Sequence, residues 1–211
     1  MELNKYIDHT LLKPVATTAD IKRLCKEAIE HKFYSVCVNP CYVALAKKEL
    51  EGTDVKIACV VGFPLGANRT DIKVLEAVKA VEDGASEIDM VINIGALKEG
   101  RYDYVLDEIN QIRESAGVLV KVIIETSQLT TEEVIKMCEI VNESKAECIK
   151  TSTGFVGEGA VFETVKLMCE HMNPDKFVKA SGGIRDKETA LKMIEVGTKR
   201  LGTSAGIKIV S

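Results

Sequence analysis

Eight short runs rich in β-branched residues recur along the 211-residue chain, and an amphipathic stretch follows each of them. The runs lie at residues 6–9, 35–39, 56–62, 87–93, 119–125, 147–152, 177–181 and 200–203. Helical patterns lie between them at residues 18–31, 40–50, 70–83, 102–116, 130–144, 161–171 and 187–196, with a short tail after Ser204. In the third, Ile72, Leu75, Val78 and Ala80-Val81 recur at the period of a helix laid on a sheet. Thr130-Thr131-Glu132-Glu133 reads as a capping box, and Gly84, Gly117 and Gly197 stand where helices stop. Strands that alternate with helices build a parallel sheet. Eight such units, averaging about 26 residues, predict an α/β fold: a compact (β/α)8 TIM barrel, one domain spanning residues 1–211. The competing open, doubly wound sheet needs fewer strands, and no G-x-G-x-x-G follows the first run.

A composition that is 46% hydrophobic supplies one substantial core. The charges are interspersed and sum to −4, against the basic face of a nucleic-acid binder. The first six residues lack the basic and apolar regions of a signal peptide, and no apolar run is long enough to span a membrane. The chain therefore reads as cytoplasmic, with neither nucleic acid nor membrane as a partner. Seven cysteines, an odd number, scatter through apolar and helical contexts, which suits reduced thiols. Cys37 and Cys41 form a lone C-x3-C without a second Cys/His pair, so no metal is expected.

Buried parallel strands normally read as apolar throughout, and lysine is rarely buried without a partner. Two runs break that pattern. Lys150 lies in Glu147-Cys148-Ile149-Lys150-Thr151-Ser152-Thr153-Gly154, and Lys179 in Lys176-Phe177-Val178-Lys179-Ala180-Ser181-Gly182-Gly183. Strand alternation puts Cys148, Lys150 and Ser152 on one face, and Phe177, Lys179 and Ser181 on one face. On neighbouring strands about 4.8 Å apart, the two ammonium groups could come within roughly 6 Å. Two positive charges at that distance repel by about 2.8 kcal/mol at an effective dielectric near 20, or about two pKa units. Desolvation acts the same way. One lysine could then offer the neutral amine that attack on a carbonyl requires. Asp89, inside Ile88-Asp89-Met90-Val91-Ile92, is a third anomaly. It could hold one ammonium protonated and relay protons, or form an ion pair that merely fixes the barrel.

Residues at the C-terminal ends of barrel strands face the catalytic mouth. Asp8-His9-Thr10, Asn39, Asp89, Asn93, Glu125-Thr126, Lys150, Lys179, Ser181 and Ser204 cluster there. Ser181-Gly182-Gly183-Ile184-Arg185 and Gly202-Thr203-Ser204-Ala205-Gly206 follow the seventh and eighth runs, where barrels often bind phosphate through backbone amides. Gly62-Phe63-Pro64-Leu65-Gly66 reads as a rigid loop over the mouth, with Phe63 against substrate. His9 is a weaker candidate proton donor, and Cys37 reads as an inert buried thiol.

Assembled in order, these segments resemble the deoxyribose-phosphate aldolases across nearly the whole chain. The resemblance is carried by Ile7-Asp8-His9-Thr10-Leu11-Leu12, Cys37-Val38-Asn39-Pro40, Val60-Val61-Gly62-Phe63-Pro64-Leu65-Gly66 and Glu87-Ile88-Asp89-Met90-Val91-Ile92-Asn93-Ile94-Gly95. Lys121-Val122-Ile123-Ile124-Glu125-Thr126, the two lysine segments and Leu201-Gly202-Thr203-Ser204-Ala205-Gly206 continue it. The resemblance implies a (β/α)8 barrel and a class I aldolase that needs no metal or other cofactor. Its reaction interconverts 2-deoxy-D-ribose 5-phosphate with D-glyceraldehyde 3-phosphate and acetaldehyde, so the partners are a sugar phosphate and small aldehydes. It further implies Lys150 as the Schiff-base nucleophile, Lys179 as the neighbour that lowers its pKa, and Asp89 as the proton-relay carboxylate. Asp8 and Thr153 fall at substrate hydroxyls, and Gly154, Gly182, Gly183, Arg185, Gly202 and Ser204 on phosphate-binding loops. Thr10, Asn39 and Phe63 complete the expected substrate side of the mouth. The chain departs from the family pattern at Asp186 and Ala205. An isomerase, an aldolase with a larger donor and a non-catalytic sugar-phosphate sensor are the alternatives. Exposed apolar positions on the outer helices would permit a homodimer or homotetramer.

Overall fold

A computed structural model describes residues 2–211. Eight parallel strands close into a barrel in sequence order, β1-β2-β3-β4-β5-β6-β7-β8. They are β1 Ile7–Leu11, β2 Ser35–Val38, β3 Lys56–Val61, β4 Glu87–Val91, β5 Leu119–Ile123, β6 Cys148–Lys150, β7 Phe177–Ser181 and β8 Arg200–Thr203. The helices are α1 Thr18–Glu30, α2 Val43–Glu49, α3 Thr70–Glu82, α4 Ile94–Lys98, α5 Tyr102–Ala116, α6 Thr131–Glu143, α7 Phe162–His171, α8 Lys187–Glu195 and α9 Gly206–Val210. The eight-unit reading of the sequence therefore holds. No described helix is long and apolar enough to cross a membrane.

The boundaries moved for identifiable reasons. A 3-10 turn over Leu3–Tyr6 delays β1. Asn93 ends β4 early, because its Oδ1 accepts the Ala96 N–H and caps α4, a helix the sequence pattern did not reveal. The β6 strand stops at Lys150, after which the Thr151 hydroxyl takes over the pairing with β7. It donates to the Ser181 carbonyl and accepts the Ser181 N–H, each at 3.0 Å. The expected capping box at Thr130 and Glu133 forms, and Thr17 with Asp20 makes a second one at α1.

Alternation across the strands divides the molecule into two unlike environments. Outward residues such as Val36, Val38, Ile88, Met90, Val120, Val122, Ile149, Val178 and Leu201 join helix residues in one large apolar shell. The inward set holds only a small apolar cluster, Leu12, Cys37, Ala58 and Val60, with Phe63 against it. Charge fills the rest. Asp8, Ser35, Glu87, Asp89, Lys121, Lys150, Lys179 and Arg200 are all buried within the barrel. Helix burial therefore stabilises the wall from outside, and ion pairing holds its interior.

Candidate active site

Parallel register sets Lys150 of β6 beside Lys179 of β7 and beside Ile123 of β5. Both lysines point inward and converge on one oxygen, Asp89 Oδ2, at 2.7 Å from Lys150 Nζ and 2.8 Å from Lys179 Nζ. Lys121 of β5 holds the other oxygen, Asp89 Oδ1, at 2.7 Å, and lies 2.6 Å from Glu87 Oε2. Lys179 also lies 2.5 Å from Asp8 Oδ2, off the hydrogen-bonding direction. Arg200 closes the chain of charges with its Nε 2.7 Å from Asp8 Oδ1 and its Nη2 2.8 Å from Glu87 Oε2. Four cations thus share three carboxylates among the described residues.

These neighbours decide the protonation states. Burial alone would push the Asp89 carboxyl up, but Lys121, Lys150 and Lys179 hold it well below the usual carboxylate range. Asp8 behaves likewise between Lys179 and Arg200. Burial would lower Lys179, yet Asp8 and Asp89 outweigh it and drive the ammonium well above the ordinary lysine value. The picture of two mutually repelling lysines is corrected here: a carboxylate bonds both of them.

Above Lys150 opens a cavity of about 390 Å³. Its wall includes Thr10, Lys13, Thr153, Gly154, Phe155, Ser181, Gly182, Gly183, Arg185, Gly202 and Ser204. Glycine is required at Gly202, where a Cβ would meet Ser181 Oγ at 2.1 Å and Lys179 Cε at 3.2 Å. At Gly182, φ is +87° and a Cβ would lie 2.8 Å from Gly159 Cα. The floor is cationic and the rim of β7 and β8 is glycine-rich backbone with Arg185 and Lys13 alongside.

A DeoC/LacD family aldolase model matches residues 3–209. The chain belongs to this aldolase family. It is 58% identical to the deoxyribose-phosphate aldolase of Clostridium tetani, over 100% of this chain and 98% of that one. Against the deoxyribose-phosphate aldolase of Thermococcus gammatolerans it is 57% identical, over 100% and 96%. Among solved structures, the tetrameric deoxyribose phosphate aldolase of Aeropyrum pernix superposes with a TM-score of 0.90 at 32% identity, covering 99% of this chain and 89% of that one.

Within this aldolase several sequence expectations need revision. Asp8 does not reach the cavity: it is wholly buried beneath the lysines, paired with Lys179, Arg200 and Ser35. Asn39 donates to the Leu12 carbonyl at 3.2 Å and does not line the cavity. Phe63 packs edge-on to Phe155, at 5.2 Å between ring centroids, and reaches the rim only through it. His9 faces outward, 2.7 Å from Glu27 on α1. Cys37 is buried, and burial raises its thiol pKa. Asp186 points away from the rim, its Oδ1 accepting the Thr189 N–H as the N-cap of α8.

Some members went unread. Lys121 is the same anomaly as Lys150 and Lys179, a lysine inside Leu119-Val120-Lys121-Val122-Ile123, and that signal could have found it. Arg200 and Glu87 open their strands, where a charge looks ordinary. Lys13 and Ser181 at the cavity, and Glu125 behind Thr153, carry no comparable sequence mark.

Proposed function

We propose that the protein is a class I aldolase that cleaves 2-deoxy-D-ribose 5-phosphate to D-glyceraldehyde 3-phosphate and acetaldehyde, and reverses that reaction. One observation carries the reading: Lys150 is the amine at the cavity floor, and it has one carboxylate partner where Lys121 and Lys179 each have two. The interior with all groups ionised holds one positive charge in excess, so losing one proton balances it. Lys150 is the group placed to lose it and to attack the open-chain aldehyde at C1.

Loss of water then leaves a protonated imine, an electron sink for cleavage of the C2–C3 bond. Glyceraldehyde 3-phosphate departs, and the enamine left on Lys150 is protonated at carbon and hydrolysed to acetaldehyde. Lys179, kept as an ammonium, and Asp89, kept as a carboxylate, fix the charge around the reacting nitrogen. The amides at Gly182, Gly183 and Ser204, with Arg185, receive the phosphate, and that remote binding energy orients the sugar. The iminium supplies the electrophile, so the reading calls for no metal and no other cofactor. The enzyme works in the cytoplasm, and exposed Leu65, with Ile72 and Leu75 on α3, offers a face for a second copy.

Borohydride added with acetaldehyde should attach an ethyl group to Lys150, located by peptide mass mapping. A Lys150→Ala variant that still turns over would overturn the assignment. An isomerase on the same barrel, or a sugar-phosphate sensor, would give no label.

A further inference from the structure

Glu125 follows β5 with φ 54° and ψ 67°, one of two non-glycine residues with positive φ among the described residues. Such a backbone costs roughly 1–3 kcal/mol and persists where the surroundings over-determine it. The turn buries the side chain, 1% exposed in total, and sends its carboxylate across to the loop after β6. There Glu125 Oε2 accepts the Thr153 hydroxyl proton, and both carboxylate oxygens take the Thr153 N–H, at 3.3 and 3.4 Å. The Phe155 N–H donates to Thr153 Oγ1 at 3.1 Å. A hydroxyl offers one proton and two lone pairs. With the proton given to Glu125 and one lone pair to Phe155, Thr153 keeps a single lone pair, in the same cavity as Lys150. It can therefore accept a hydrogen bond from substrate but cannot donate one.

Only one substrate hydroxyl must surrender its proton during cleavage, the one on C3. Asp89 is badly suited to receive it, because three lysines already hold that carboxylate. Glu125 has Thr153 as its only hydrogen-bonding side chain among the described residues, and burial raises its pKa. Two carboxylates in environments that push them apart divide the electrostatic and proton-accepting roles between them.

We infer that Thr153 and Glu125 form the proton-accepting limb for the substrate's 3-hydroxyl, Thr153 as the catalytic residue in contact and Glu125 as the positioning residue acting through it. This rests on the aldolase reading above. The O3 proton moves to Thr153 Oγ1 while the proton already there moves to Glu125 Oε2. The C2–C3 electron pair enters the iminium to give the enamine, and C3 becomes the aldehyde carbonyl of the departing fragment. Neutral Glu125 then returns its proton through Thr153 to the enamine carbon, which restores both the carboxylate and the iminium.

The test compares Glu125→Gln with the unaltered enzyme in cleavage kinetics and in borohydride labelling with acetaldehyde. Glutamine keeps the shape and can still bond Thr153, but it cannot take the proton. The expected result is a kcat lower by about 100-fold or more, the scale of general base catalysis, with KM within about threefold and labelling of Lys150 undiminished. An unchanged kcat, or a loss confined to KM, overturns the inference and leaves the aldolase reading intact. No labelling of the unaltered enzyme overturns both. Should Glu125→Gln not fold, the pair Thr153→Val and Thr153→Ser decides: serine must recover the kcat that valine loses, and equal rates in the two variants sink the proposal.

Discussion

Lys150 differs from its neighbours by the number of carboxylates it touches, and that small inequality assigns the chemistry. Lys179 sits between Asp8 and Asp89, with burial outweighed, and stays charged. Replacing it by leucine leaves three cations on three carboxylates, so Lys150 is retained as an ammonium by charge balance. The ascending limb of the pH–rate profile in Lys179→Leu should therefore move to higher pH, alongside a large loss of rate at neutral pH. A profile superimposable on that of the unaltered enzyme would contradict the balance. Fully buried ion pairs are costly to break from one side, by about 3–5 kcal/mol. That cost is why a network of seven charges is sustained only where every member has an opposite neighbour.

Elements hold the site by close approach as much as by hydrogen bonds. Gly202 lets β8 pass beside Lys179 and Ser181. Its replacement by alanine should press on both, lowering kcat by about 100-fold, the scale of an ångström's misplacement, with the far-UV circular dichroism spectrum retained. A second buried pair fastens the far wall: Lys73 of α3 donates to Glu108 of α5 and to the Val91 carbonyl at the end of β4, each at 2.8 Å. Glu108 in turn accepts the Asn93 N–H at 3.0 Å. Lys73→Met strands Glu108 in a dry site and should cost about 3–5 kcal/mol in urea unfolding, while kcat changes little. A cost under about 1 kcal/mol would mean that the pair behaves like a surface ion pair.

The molecule as a whole should lose stability to acid in two stages. Burial lowers the His9 pKa from its ordinary 6.5, so the unfolded chain binds a proton first. Its contribution is present above 6.5 and fades as the pH falls through the lower folded value. Asp8 and Asp89 fall well below 3.8 in the folded protein, so their contribution is present above 3.8 and is lost as the pH drops further. Chemical denaturation from pH 8 to 2 should show a shallow decline below about 6.5, absent in His9→Gln, then a steeper one below about 4. Each carboxylate adds up to about 1.4 kcal/mol per pH unit. A flat profile down to pH 3 would show that the interior carboxylates carry no such linkage.

The order of elements, the barrel and the two lysine strands were legible in the chain, because hydrophobic period and an out-of-place charge are local signals. Lys150, Lys179 and Asp89 announced themselves as polar residues where burial demands apolar ones, and Lys121 carried the same mark unread. Strand alternation then fixed which face each would occupy. Only the closed fold decided who touches whom. Asp8 looked like a residue of the mouth but lies one level below it, since the register of β1 against β8 sets its depth. Glu125 reads as an ordinary acid after a strand, and its meaning lies in a backbone turn that brings it to Thr153. Depth, pairing and the remaining lone pair of a hydroxyl depend on residues distant in the chain, and local pattern carries no record of them.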